Sequence, residues 1–223
     1  MKDSLFAQAI MKFACGLLMV GALIFLPAGT WDYWQGWLLL GVLFVPMFIA
    51  GLVMLAKSPD LLRKRLNLKE EQSEQKAVIA LSGVMFLAAF LVAGLSRRFG
   101  WYLLPAWVSW TAAAVFLIAY ALYAEVLREN AYLSRTVEVQ EDQKVIDTGL
   151  YGVVRHPMYA VTILLFLAMP LVLGSPISFV ILLFYPALIV RRIRNEEQVL
   201  EEGLPGYAEY KKKVRYRLLP GIW

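Results

Sequence analysis

Six long apolar runs constrain this chain more than any motif does: residues 11–28, 34–56, 77–95, 102–127, 157–173 and 177–190. A helix needs about 20 apolar residues to cross roughly 30 Å of hydrocarbon. Backbone N–H and C=O groups in that medium must be bonded inside the protein, and helices do this within one segment. With 60% of its residues hydrophobic and 17% charged, the chain is expected to be all-α. The expected form is a polytopic integral membrane protein of about six membrane helices in three antiparallel pairs. The first run is longer than a signal-peptide core and reads as a retained span. Only Gly174, Ser175 and Pro176 separate the last two runs, which are short. They read as a C-terminal helical hairpin that need not cross completely. No internal repeat and no glycine-rich phosphate loop is present, which excludes a soluble Rossmann enzyme.

Charge sets the expected orientation. The N-terminal tail, the loops 57–76 and 128–155 and the C-terminal tail hold every Lys and Arg except Arg97 and Arg98. By the positive-inside rule both termini and both loops are cytoplasmic. Trp31, Tyr33, Trp34, Trp37, Trp101 and Tyr102 fall at span ends on the other side, as an interfacial aromatic belt would. The single cysteine, Cys15, excludes an intrachain disulfide and reads as packing. Loop 57–76 reads as a solvated, topology-fixing loop that would be amphipathic if helical. The tail KKKVRYRLLPGIW reads as an anchor, with Lys211, Lys212, Lys213, Arg215 and Arg217 facing anionic lipid and Trp223 in the interface. Directly after a span, such a cluster does not suggest a nucleic-acid partner, and no metal cluster is evident. The sequence carries no sign of an oligomeric state.

The division expected is residues 1–127 as membrane spans and 128–223 as the region that carries function. After the fourth span the chain turns polar for nearly thirty residues, with Val137, Val139, Val145 and Ile146 spread through it. That length is too great for a bare connection, and the composition is not that of a disordered linker. The only histidine, His156, then stands between Arg155 and Pro157. Proline suits the first turn of a helix, so His156 falls at the N-cap of the fifth span. Exposed N–H groups and the positive helix end there suit an anion. Beyond the sixth span comes RRIRNEEQVLEEG. On a helix Arg192 and Glu196 share one face, and Arg194 and Glu197 another. Arg followed by Glu four residues later is the weaker order for a helical ion pair, a hint that the two groups serve something else. Antiparallel spans bring RHPMY and RRIRNEE out side by side.

The ordered set Gly149-x-Tyr151, Arg155-His156-Pro157-x-Tyr159, Ser175-Pro176, Arg192, Glu196-Glu197-x-x-Leu200, Gly206-Tyr207-x-x-Tyr210 and Leu219-Pro220 resembles the isoprenylcysteine carboxyl methyltransferase family. Phospholipid N-methyltransferases and sterol reductases share parts of the same pattern. The resemblance covers roughly residues 130–223. It implies a membrane methyltransferase that binds S-adenosylmethionine in a cytoplasmic pocket formed by the C-terminal hairpin and the preceding loop. Carried over by position, the cofactor-binding residues are Gln143, Lys144, Val145, Ile146, Tyr151, His156, Pro157, Met158, Tyr159 and Glu196. Arg192 matches the arginine that positions the methyl acceptor. Ala160 stands where glycine is common, Ser175 replaces an asparagine, and Thr136 stands where a more distant cofactor contact is a glutamine in the eukaryotic enzymes. A chain this short looks like a prokaryotic member, which implies a bacterial or archaeal inner membrane.

Physical chemistry agrees with those roles. The cofactor needs partners for a carboxylate and an ammonium, and apolar or aromatic walls. The α-helix N-terminus with His156 suits the carboxylate, and Glu196 suits the ammonium or hydroxyls. Tyr151, Tyr159 and Tyr207 suit the walls or a sulfonium, by cation–π attraction. Methyl transfer needs no enzyme nucleophile, so alignment and exclusion of water are what such a site must provide. The expected acceptor is a lipophilic or lipidated molecule reaching the site from the bilayer. The alternatives are a phospholipid-type N-methyltransferase, an NAD(P)H-dependent membrane reductase of the sterol type, and a noncatalytic membrane protein.

Overall fold

The computed structural model describes residues 2–66, 73–133, 137 and 139–223; Thr136 lies outside them, as does 67–72 of the second loop. Its helices are α1 (Lys2–Ala28), α2 (Trp34–Lys57), α3 (Pro59–Leu66), α4 (Ser73–Phe99), α5 (Ala106–Glu129), α6 (Pro157–Val172), α7 (Pro176–Leu182), α8 (Tyr185–Gly203) and α9 (Tyr207–Lys213), with one 3-10 turn at Gly149–Gly152. No strand occurs among the described residues. The protein is all-α and membrane-integral. Five segments are long and apolar enough to span: Leu5–Ala28, Trp34–Lys57, Gln75–Phe99, Ala106–Glu129 and Pro176–Gly203. The fifth expected span, α6, has 16 residues, about 24 Å of helix, and is shorter than the hydrocarbon core.

The largest buried cluster joins both ends of the chain. Ile24 and Phe25 of α1, Leu39 and Phe44 of α2, Phe90 and Ala93 of α4, Ala113 and Phe116 of α5, and Leu165 and Val172 of α6 all meet in it. Helices come close where residues are small. A Cβ on Gly94 would lie 2.5 Å from the Ile24 carbonyl oxygen, so α4 crosses α1 at nearly backbone contact. Leu18, Leu26, Val45, Ile49, Val84 and Ile118 point outward, as a lipid-facing surface requires.

The end of α6 explains why the hairpin turns where it does. A helix leaves its last carbonyls without helical partners, and here other elements supply donors. The Tyr33 hydroxyl donates to the Leu173 carbonyl (2.7 Å), Ser109 Oγ to that of Leu171 (3.3 Å), and the Leu104 N–H to that of Gly174 (2.9 Å). Gly174 turns the chain at φ +70°, a left-handed conformation that glycine adopts without penalty. Ser175 caps α7 by accepting from the Ser178 N–H, and Ser178 Oγ donates to the Ala89 carbonyl of α4. From α7 the chain passes through Leu183 and Phe184 into α8, which starts with Pro186 in its first turn. Proline lacks an N–H, so the helical ladder is interrupted there and the rod is two helices.

Several sequence expectations shift. Tyr33 is fully buried and bonded to α6 instead of joining the exposed belt of Trp31, Trp37, Trp101 and Tyr102. Cys15 is exposed on α1 instead of packed. Within loop 57–76, Pro59–Leu66 forms a helix. It is tied down by Lys12 Nζ on the Leu66 carbonyl, by Lys64 Nζ on Gln140 Oε1 (2.6 Å), and by Arg65 on the Tyr123 hydroxyl.

Candidate active site

Where α6 begins, the structure brings together the two polar clusters that lie about forty residues apart in sequence. His156 is the N-cap of α6 and Pro157 its first residue. The 3-10 turn and α9 close one side, and α8 forms the other. Between them lies a cleft of about 830 Å³, its open mouth included. Gln143, Lys144, Val145, Ile146, Tyr151, His156, Met158, Tyr159, Arg192 and Glu196 all line it. Pro157 does not: it is fully buried beneath the cleft and shapes the start of the helix.

One tyrosine organises the polar edge of the cleft. Tyr159 Oη donates to Glu196 Oε2 and accepts from Arg192 Nε at 2.8 Å. Arg192 and Glu196, expected to share a helix face, are thus joined through a hydroxyl from α6. The His156 ring stacks on Tyr159 with centroids 5.8 Å apart. Gln75 at the start of α4 is fully buried; its Nε2 donates to Asn195 Oδ1 at 2.6 Å and to the Arg192 carbonyl at 3.4 Å, fixing this stretch of α8 from behind.

Beneath that edge sits a charge cluster that sequence reasoning misread. Glu197 is 3% exposed and does not pair with Arg194. Its carboxylate accepts from Arg155 Nε (2.8 Å), from Arg217 Nε (2.9 Å) and from His156 Nε2 (3.2 Å). A carboxylate only accepts, so His156 Nε2–H is the donor. One nitrogen of the imidazole expected to meet a cofactor carboxylate is therefore bonded to Glu197, and the other, Nδ1, lies 4.0 Å from Glu196 Oε1. The α6 N-terminus also offers fewer donors than expected, because the His156 N–H bonds the Arg217 carbonyl, Pro157 has no N–H, and the Tyr159 N–H bonds the His156 carbonyl. Adjacent glutamates on a helix point about 100° apart. A doublet with one member at the cleft and one beneath it was the available signal for Glu197.

The tail packs against the base of the site through hydrogen bonds and ion pairs. Arg155 Nη1 donates to the carbonyls of Val214 and Arg215 (2.8 and 2.7 Å), and the Arg155 and His156 N–H groups to those of Tyr216 and Arg217 (both 2.9 Å). Arg217 turns inward to Glu197 and lies over the Trp223 ring at 5.0 Å. Lys211 pairs with Glu201, and Lys213 with Asp147 (2.6 Å). Burying Glu197 requires countercharge, and that draws the tail under α6. Lys212 and Arg215 stay exposed.

Sequence reasoning did not assign Asn130, Tyr132, Leu200, Leu204 or Tyr210 to the cofactor, yet all line the cleft, as does Tyr207, which was expected among its walls. Asn130 Nδ2 donates to the Tyr151 hydroxyl (3.0 Å), and the Tyr210 hydroxyl to the Tyr151 carbonyl (2.7 Å). Burial pushes the phenols of Tyr151 and Tyr210 well above the usual tyrosine value. Leu204, Tyr207, Tyr210 and Val214 form a small core with Val139, Val145 and Leu200, giving the cleft one apolar end.

Residues 107–202, which hold His156, Tyr159, Arg192 and Glu196, match the Isoprenylcysteine carboxyl methyltransferase (ICMT) family. This stretch belongs to that family. Among solved structures, that of the eukaryotic intramembrane Ras methyltransferase ICMT (isoprenylcysteine carboxyl methyltransferase) without a monobody aligns with a TM-score of 0.51. The alignment covers 99% of this chain and 95% of that one at 16% identity, so the likeness to that ICMT is one of fold. A stretch of 91 residues is also 31% identical to the Delta(14)-sterol reductase TM7SF2 of Mus musculus. That match takes in 40% of this chain and 22% of the reductase, so the chain spans about a fifth of that relative.

Proposed function

We propose that this chain is an integral-membrane methyltransferase that uses S-adenosylmethionine and acts on a lipophilic acceptor, in the first instance an isoprenylcysteine-type carboxylate. The observation that carries this reading is the junction at Tyr159, which fixes Arg192 and Glu196 side by side on the cleft within the family-matched stretch. Bound there, S-adenosylmethionine supplies an activated methyl group on a sulfonium. The residues present fit such a molecule. Glu196, with about a quarter of its side chain exposed, accepts from an ammonium or ribose hydroxyls. Tyr151, Met158 and Tyr159 give aromatic and apolar walls. Residues Gln143, Lys144, Val145 and Ile146 close the cleft from the loop. Arg192, its guanidinium orientation fixed through Nε, suits a carboxylate acceptor, which guanidinium binds in plane. An amine acceptor would be repelled by it.

The distribution of basic residues, all but Arg97 and Arg98 in the segments at the cleft end or in the termini, supports an orientation with both termini and the cleft on the cytoplasmic side. The test is incubation of purified protein with methyl-labelled cofactor and a native lipid extract, followed by identification of the labelled product. The expected result is a methyl ester on a lipophilic acid; a labelled amine would remove the carboxylate assignment. Calorimetry in detergent supplies the residue test. Glu196→Ala is expected to weaken S-adenosylhomocysteine binding by about 10- to 100-fold, the worth of a charge-assisted hydrogen bond. Arg192→Ala should spare binding and abolish turnover. Unchanged affinity in Glu196→Ala would remove its assignment. The reductase match favours one other reading, in which the same cleft takes a nicotinamide cofactor; binding of NADPH without S-adenosylhomocysteine would select it.

A further inference from the structure

Five tyrosines line the cleft, and four of their hydroxyls are accounted for, that of Tyr132 by donating to the Asp142 carbonyl at 3.1 Å. Tyr151 accepts from Asn130, Tyr159 joins Arg192 to Glu196, and Tyr210 donates to the Tyr151 carbonyl. Tyr207 differs. It is 4% exposed, and its hydroxyl is buried with no hydrogen-bond partner among the described residues. Burying a hydroxyl unpaired is unfavourable, and phenylalanine would fill the same space without that cost. Burial, with Glu197 and Glu196 adding negative charge nearby, holds the phenol well above the usual tyrosine value, so the group remains an O–H donor. The ring packs among Leu200, Leu204, Tyr210 and Val145. On α8, Leu200 lies one turn beyond Glu196, about 6 Å along the axis, so the Tyr207 ring sits at the apolar end of the cleft.

We propose that Tyr207 is a cofactor-binding residue whose hydroxyl donates a hydrogen bond to an acceptor atom on the nucleoside half of the cofactor. This rests on the reading of the cleft as an S-adenosylmethionine site. The ligand takes up a donor that the free protein leaves unpaired, so the residue favours the bound state and not the fold.

The test is Tyr207→Phe in the full chain in detergent, with calorimetric titration of S-adenosylmethionine and of its decarboxylated form, and a thermal midpoint without ligand. The expected result is a loss of affinity of about 5- to 10-fold for both ligands, the worth of one hydrogen bond, with an unchanged or higher midpoint. Unchanged affinity would overturn the proposal, as would a lowered midpoint alone, which is the mark of a water-bridged structural hydroxyl. A loss that vanishes for the decarboxylated ligand would also overturn it, by moving the contact to the carboxylate. If the wild-type protein bound neither ligand, the functional reading would fall and this inference with it.

Discussion

Glu197 and Glu196 are chemically identical neighbours that the fold puts to opposite uses. Glu197 is enclosed by two guanidinium groups and an imidazole, whereas Glu196 faces the cleft and accepts from the Tyr159 hydroxyl. Replacing Glu197 with Gln leaves Arg155, 7% exposed, without its countercharge. Breaking a buried pair from one side costs about 3–5 kcal/mol. Glu197→Gln is therefore expected to lower the thermal midpoint in detergent sharply, while Glu196→Gln leaves it near the wild-type value. Equal midpoints for the two variants would show that Glu197 is not the anchor. The residues that sequence made legible were those with an outstanding chemical identity at a helix boundary, such as His156, Pro157 and Arg192. Asn130 and Tyr132 were not, because their place on the cleft wall depends on how the segment after α5 folds back.

At the scale of elements, the helices could be read from apolar length, since the hydrocarbon core fixes how long a span must be. Breaks and short helices were less legible. The interruption at Leu183–Phe184 follows from Pro186, yet continuous apolar composition hides it. Helix α3 is held by bonds from Lys64 and Arg65 to distant partners, which local charge does not reveal. The α1–α4 crossing gives a sharp prediction at this scale. Gly94→Ala would place a methyl group 2.5 Å from the Ile24 carbonyl oxygen, and overpacking of this kind costs about 1–3 kcal/mol. Gly83, with nothing within 4 Å of its Cβ position, is the control in the same helix, where alanine should be neutral or stabilising by about 0.5–1 kcal/mol. Denaturation of the two variants in detergent should separate them in that order.

At the scale of the whole molecule, the tail crosses beneath α6, contributes Arg217 to Glu197, and receives four hydrogen bonds from Arg155 and His156. Truncation after Lys213 removes all of these. The shortened protein is expected to lose cofactor binding in calorimetry while its far-ultraviolet circular dichroism keeps most of its helical signal, because the buried cluster of α1, α2, α4, α5 and α6 does not include the tail. Retained binding would show that the site is complete without it. The short α6 bears on how two solvents can share one reaction. The start of α5 lies level with the end of α6, where Leu104 and Ser109 bond the last α6 carbonyls. With 24 residues against 16, α5 runs about 12 Å further toward the other end. The cleft opens in the space this leaves beyond the start of α6, next to the Arg155–Glu197–Arg217 cluster. On the proposed function, a shortened helix of this kind lets a water-borne molecule and an oil-borne one meet without either crossing the other's solvent.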